Sequence, residues 1–113
     1  MDTLNLLQEI TQLHAELCSA LAESTRLFIL YALAEQPCNV TELTQKLELP
    51  QPTISRHLKV LREAGLVHST RQGMVINYEL TDKRVIEALD ILRSVLRDRI
   101  QHHADLIDEF IPS

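Results

Sequence analysis

The sequence predicts a mainly α-helical chain with one small β-hairpin, and three observations carry this. Apolar residues recur at three- and four-residue steps through most of the 113 residues, the spacing of helices buried along one side. Glycine and proline are scarce, aromatics make up 4% and tryptophan is absent, a composition that favours helices over a β-sandwich. The period shifts to two in one place, between Leu66 and Leu80, where a strand pair is expected. A chain of this length forms one domain, 1–113, with a real but modest core.

The elements come in order along the chain. Leu6, Ile10, Leu13, Leu17 and Leu21, with Leu7 beside them, stripe a first helix from Leu4 to Leu21. That apolar surface is generous for a terminal helix and suggests that 1–21 meets a partner. Ser24 is placed to cap a second helix, about Thr25 to Glu35. Leu27, Phe28, Leu30, Tyr31, Leu33 and Ala34 make it apolar over most of its circumference, as a central core helix would be, and Pro37 ends it. Asn39-Val40-Thr41-Glu42 is a capping-box pattern with Asn in the usual Ser/Thr place. The short helix behind it buries Val40, Leu43 and Leu47. Glu48-Leu49-Pro50 then turns the chain.

The next helix, Gln51 to Leu66, has a start, a striped body and a stop. Pro52 suits the first turn, where a missing N–H costs nothing. Ile54, Leu58, Leu61 and Ala64 form the buried stripe, and Gly65 can take the left-handed conformation that ends helices. Short helix, tight turn and longer polar-faced helix over 40–64 make a helix-turn-helix. After Gly65, Leu66 to Thr70 and Met74 to Leu80 read as strands joined by a turn at Arg71-Gln72-Gly73. A hairpin at 66–80 directly after a helix-turn-helix makes a winged helix, with Arg71 at the wing tip. Thr81 is placed to cap a last helix, 82–109, striped by Val85, Leu89, Leu92, Leu96, Ile100 and Leu106. Long apolar-striped helices at both ends suit a dimer interface; the alternative is that both wrap the core.

The charge pattern bears on function. The net charge is −5, which taken globally argues against a nucleic-acid partner, but the charges are segregated. Residues 51–76 hold Arg56, Lys59, Arg62 and Arg71 against Glu63 alone, whereas residues 1–36 hold five acids against Arg26 alone. DNA requires one basic face, not a basic protein. The outer face of the Gln51 helix carries Gln51, Thr53, Ser55, Arg56, His57 and Lys59, amide, hydroxyl and cationic groups suited to base edges and phosphates in a major groove. A solvated basic helix face is the other reading of these residues, and for His57 a surface histidine bonded to its neighbours.

LAESTRLFILYAL, CNVTELTQKLELPQPTISRHLKVLREAGLV and RQGMVINYEL together resemble the ArsR/SmtB family of small bacterial winged-helix repressors, over roughly residues 17–96. The resemblance implies a homodimer joined by its terminal helices. It implies a double-stranded palindromic operator with one Gln51 helix in each major groove, and release when an inducer is sensed. Carried over by position, the DNA-binding residues are Gln51, Thr53, Ser55, Arg56, His57 and Lys59, with Arg71 in the wing.

The family's metal sites are checked position by position. The zinc-type positions hold Asp82, Arg84, Val95 and Asp98; both histidines are missing and a cation stands in one place, so no zinc site is expected. The place of the Cys-Val-Cys run reads Asn39-Val40-Thr41. Cys38 instead matches, in Cys-x-Val-x-Glu-Leu, the repressors of this family that sense reactive sulfur or oxidants at that point. It lies just before a helix N-terminus, whose dipole favours a thiolate. The second cysteine usual in that branch is absent, since the last helix has Gln101, His102 and His103. The sensing thiols are therefore Cys38 and, as the other cysteine, Cys18. Cys18 follows His14 by one turn, which makes either half of a metal site or a buried inert thiol.

The reading is thus a DNA-binding repressor with thiol-based sensing, without cofactor, metal or catalytic residues. Two alternatives stand beside it: a metalloid-responsive repressor using Cys18 and Cys38, and a winged-helix module for protein contact. No Cys–His–acid order or glycine-rich loop points to an enzyme. No apolar run is long enough to span a membrane, and no signal peptide is seen, so a cytoplasmic protein with free thiols is expected.

Overall fold

The structure is a computed structural model, which describes residues 2–110. They fall into two compact units, one running up to Lys83 and one from Arg84.

The first unit opens with α1, Thr3–Gln12, capped by the Asp2 carboxylate, which accepts from the Leu4 N–H at 3.3 Å. The helix continues as a π-helical segment, Leu13–Cys18, and a last turn, α2, Ser19–Leu21. An uninterrupted α-helix is the sequence expectation for this stretch. The wider π turn, with the Ser19 N–H donating to the His14 carbonyl, rotates the residues after it. Ala20 alone of these residues reaches the core. The chain then bends by 84° into α3, Ser24–Glu35. Its cap is Glu23, not Ser24: Glu23 is extended and its carboxylate accepts from the Arg26 N–H at 3.1 Å, while Ser24 is already helical. Ile29, Leu30 and Leu33 are buried, but Phe28 is 55% exposed, so α3 buries one side rather than most of its circumference.

α4, Val40–Leu47, starts at the expected capping box. Asn39 Oδ1 accepts from the Glu42 N–H at 2.8 Å, and Glu42 Oε1 accepts from the Asn39 N–H at 3.0 Å. Glu48 closes the helix at φ 54°, left-handed without being glycine. α5, Gln51–Glu63, has Pro52 in its first turn and buries Ile54, His57, Leu58 and Leu61. Gly65, at φ 77°, lets the Leu66 N–H reach back to the Leu61 carbonyl at 2.9 Å.

The wing is an antiparallel pair, β1, Val67–Gln72, and β2, Val75–Leu80, in register from Val67 opposite Leu80 to Gln72 opposite Val75. Its loop is therefore Gly73-Met74, two residues where three, Arg71-Gln72-Gly73, are expected. Gly73 has φ 64° at the first of two central positions, the place a type II′ turn gives to glycine. Met74, expected on a strand, sits in the turn and is 93% exposed. Cys38 forms a bridge to this sheet: its N–H donates to the Tyr78 carbonyl at 3.0 Å, and the Tyr78 N–H donates back at 2.8 Å. The loop before α4 is thus stitched to β2. The last helix begins at Arg84 rather than at Asp82, beside Thr81. The Thr81 N–H donates to the Leu66 carbonyl at 3.1 Å, extending the strand pairing.

The second unit is α6, Arg84–Phe110, of 27 residues. Ile91, Leu92, Val95, Leu96 and Ile100 are exposed along it, as are Leu4, Leu6, Leu7, Ile10 and Leu13 along the first helix.

Candidate nucleic-acid interface

The inner stripe of α5 fixes what its outer face presents. With Ile54, Leu58 and Leu61 buried, Gln51, Arg56 and Lys59 are exposed and Thr53 and Ser55 partly so. Gln51 Nε2 donates to Ser55 Oγ at 2.8 Å one turn on, which holds an amide and a hydroxyl side by side. Two cations, an amide and two hydroxyls on one helix face supply donors and acceptors for base edges and charges for phosphates. Arg71 is exposed on the wing, next to the turn rather than in it, opposite Ile76 in the register. Its Nε donates to the Gly73 carbonyl at 3.1 Å, a bond that does not use the two terminal guanidinium nitrogens, the pair suited to an anion.

His57 is a correction. The sequence pattern puts it with the groove-facing groups, but it is only 8% exposed and belongs to the inner stripe. The reason lies in helical geometry: at about 100° per residue it falls about 60° from Ile54, and 54, 57, 58 and 61 complete the three- and four-residue spacing of one buried face.

The core receives this imidazole with a built polar site. Arg26 Nη1 lies 3.2 Å from His57 Nδ1. A guanidinium cannot accept, so Nδ1 is the acceptor. Glu23 Oε2 stands 3.8 Å from the same nitrogen. Arg26 also donates from Nε to the Ala20 carbonyl at 2.5 Å and from Nη2 to the Ser19 carbonyl at 3.2 Å, which closes the last turn of the first helix. Desolvation pushes the Glu23 carboxyl up. The Arg26 N–H, the Thr25 N–H and the Arg26 guanidinium outweigh this and hold it below its ordinary value. Sequence reasoning used Arg26 only as the lone cation among the first 36 residues; that solitude, three residues after Glu23, was the available signal.

Cys38 is fully buried and Cys18 is exposed, the reverse of the burial expected for Cys18, and both thiols are free. Cys38 Sγ donates to the Gln36 carbonyl at 3.4 Å, and Lys46 Nζ, from α4, lies 3.6 Å from the same sulfur. Lys46 also escaped the sequence reading, since a lysine eight residues from a cysteine carries no pattern. A small cleft of about 280 Å³ opens beside this loop, lined by Leu33, Gln36, Pro37, Glu79 and Lys83 among others. Among the described residues no group of three His, Cys, Asp or Glu side chains is placed to hold a metal ion.

Known proteins resemble the chain over this same region. A family model described as "Bacterial regulatory protein, arsR family" matches residues 23–69, from Glu23 into the first strand of the wing. The chain is 39% identical over 79 residues to an uncharacterized HTH-type transcriptional regulator of Methanocaldococcus jannaschii, covering 69% of this chain and 89% of that protein. It is 41% identical over 75 residues to the HTH-type transcriptional repressor SmtB of Mycobacterium tuberculosis, covering 66% of this chain. The matched stretch spans little more than half, 56%, of that repressor's length. In three dimensions the chain is similar to a homodimeric winged helix-turn-helix DNA-binding domain of Mycobacterium bovis, with a TM-score of 0.70, 26% identity and 88% of each chain covered.

Proposed function

The chain belongs to the arsR family of bacterial regulatory proteins, and on that premise we propose that it acts as a homodimeric transcriptional repressor that leaves its operator when Cys38 is modified. The observation that carries the DNA-binding part is the α5 face: Gln51, Thr53, Ser55, Arg56 and Lys59 lie outward on a helix whose other side is locked into the core. One α5 enters a major groove in each half-site, and Arg71 reaches the backbone or minor groove from the wing. The homodimer is supported by the exposed apolar stripes of the first helix and α6, and by the homodimeric Mycobacterium bovis domain to which the fold is similar. No single helix among the described residues is long and apolar enough to cross a membrane.

For the switch, the supporting observation is the position of Cys38. Its backbone is paired with Tyr78 of the wing and its sulfur sits beside Lys46 of the helix-turn-helix. An oxidised or persulfidated sulfur is larger and more polar than a thiol in a site with no exposed surface, so the modified form must push the wing strand or α4 aside. Both belong to the DNA unit. The required effect is small: a tenfold loss of affinity is about 1.4 kcal/mol. Reactive sulfur species and peroxide are the proposed signals, and Lys46 is the cation that a charged product would meet. A metalloid site built from Cys18 and Cys38 has less support, since one thiol is buried and the other exposed and soft metalloids favour several thiolates.

The test compares operator binding by wild type and Cys38→Ser before and after polysulfide or peroxide. Wild type is expected to release DNA and Cys38→Ser to hold it. Equal behaviour of the two removes Cys38 from the switch. A response to As(III) that needs both cysteines favours the metalloid reading.

A further inference from the structure

We propose that Arg26 is a positioning residue for DNA reading: through His57 it ties the end of the N-terminal helix to α5, and so sets the separation of the two reading helices in a dimer. This rests on the DNA-reading role of α5 proposed above.

The inference begins with what apolar packing does not do. Ile54, Leu58 and Leu61 bury one side of α5, but burial is non-directional and fixes the slide and roll of a helix only loosely. A buried hydrogen bond is directional and leaves a costly orphan when broken. Among the described residues, His57 is the polar side chain that the core buries, and it sits in the middle of α5. Its Nδ1 accepts from Arg26. The same guanidinium holds the carbonyls of Ala20 and Ser19, the C-terminal end of the helix whose exposed leucines face a partner in the proposed dimer. Glu23, anchored by the Arg26 N–H, balances the charge. One planar cation thus connects the dimer-facing helix to the reading helix without touching DNA. Guanidinium geometry suits this task, because its donors are fixed in one plane and pointed at three acceptors on two elements.

The consequence concerns spacing. Two recognition helices fit a palindromic site only when their separation matches about one turn of DNA, about 34–36 Å. Inserting one base pair at the dyad displaces one half-site by about 3.4 Å along the axis and rotates it as well. A dimer with a fixed α5 rejects the longer site; a dimer with a loosened α5 distinguishes the two sites less.

The probe is a duplex enriched by the wild-type chain from a random-sequence pool, with and without one base pair inserted at its dyad. The variants are Arg26→Gln, His57→Leu and His57→Asn, each checked for dimer mass and helix content. Wild type is expected to bind the lengthened duplex about tenfold more weakly. Arg26→Gln and His57→Leu are expected to differ by less than about threefold between the two, by losing affinity for the original duplex. His57→Asn, whose side-chain oxygen stands where Nδ1 stood, is expected to keep the wild-type ratio, a rescue that general destabilisation does not produce. A His57→Leu dimer that discriminates like wild type overturns the proposal, and so does an Asn variant that behaves like Leu. Should Arg26→Gln fail to fold, His57→Leu decides, and a His57→Leu chain that is not a folded dimer also counts against a positioning role. A wild-type chain that enriches no duplex removes the DNA-reading role itself, and this proposal with it. Failure of the proposal alone shows as enrichment with unchanged ratios in the variants.

Discussion

Arg56 and His57 are neighbours in sequence with opposite fates. Arg56 is exposed on the outer face of α5, and His57 is locked inward against Arg26. Arg56→Ala is therefore expected to weaken operator binding by about 1–3 kcal/mol if it reads a base, with the fold intact. Lys59→Ala, losing a phosphate contact, should lower affinity nearly uniformly across sequences and reduce the salt slope by about one. Titrations at several salt concentrations separate the two; unchanged binding in both would take α5 out of the groove. Glu23 supports a prediction about pH. Its folded-state carboxyl is held below the ordinary value of 4.5, so between those two values the folded state binds fewer protons than the unfolded one. The stability it contributes is fully present above the unfolded value and is lost as pH falls through the folded one. Thermal melts of wild type and Glu23→Gln from about pH 7 to about pH 3 should show a gap that closes in acid. A gap independent of pH would mean that the carboxylate charge has no part in the network.

At the scale of elements, legibility followed how local the cause was. The capping box needs only Asn39 and Glu42, three residues apart, and it forms as read. The outward groups of α5 were legible for the same reason, except His57. A histidine is polar by type and apolar by position there, and the position prevailed because Arg26, 31 residues away, supplies a partner. The wing turn has two residues instead of three because Gly73 serves equally at the end of a three-residue turn or at the head of a two-residue one; register with Leu80 and Val67 decides. The cap of α3 moved from Ser24 to Glu23 because a glutamate reached the same N–H. The Cys38–Tyr78 bridge pairs residues 40 apart, with no periodic signal between them. Two substitutions test the local terms. Asn39→Ala should cost about 0.5–2 kcal/mol by removing the cap acceptor. Glu48→Gly should raise stability by up to about 1 kcal/mol, since Glu48 holds the left-handed conformation with a side chain that disfavours it. Chemical denaturation measures both, and a destabilised Glu48→Gly would show that the side chain contributes more than the strain costs.

At the scale of the molecule, apolar stripes are exposed on both terminal helices. Leu92, on α6, is 63% exposed, and Leu6, on the first helix, is 44% exposed; each lies in a run of similarly bare side chains. Burying a leucine stabilises by roughly 1.5–3 kcal/mol, and in a two-fold interface each substitution occurs twice. A single charge on either stripe then acts at two places and must be desolvated or left facing its own copy. Leu92→Asp and Leu6→Asp are accordingly expected to sediment as monomers at concentrations where wild type is a dimer, with the fold of residues up to Lys83 kept, because neither side chain belongs to that core. DNA binding should fall much further than any change in the α5 face, since a monomer engages one half-site and forfeits the effective concentration that linkage gives the second. The two effects separate in one experiment. A Leu92→Asp chain held at high concentration on a duplex with a single half-site should bind as wild type does, while the full palindrome should reveal the loss. A wild-type chain that sediments as a monomer at micromolar concentration would leave both stripes to another partner and would remove the half-site argument altogether.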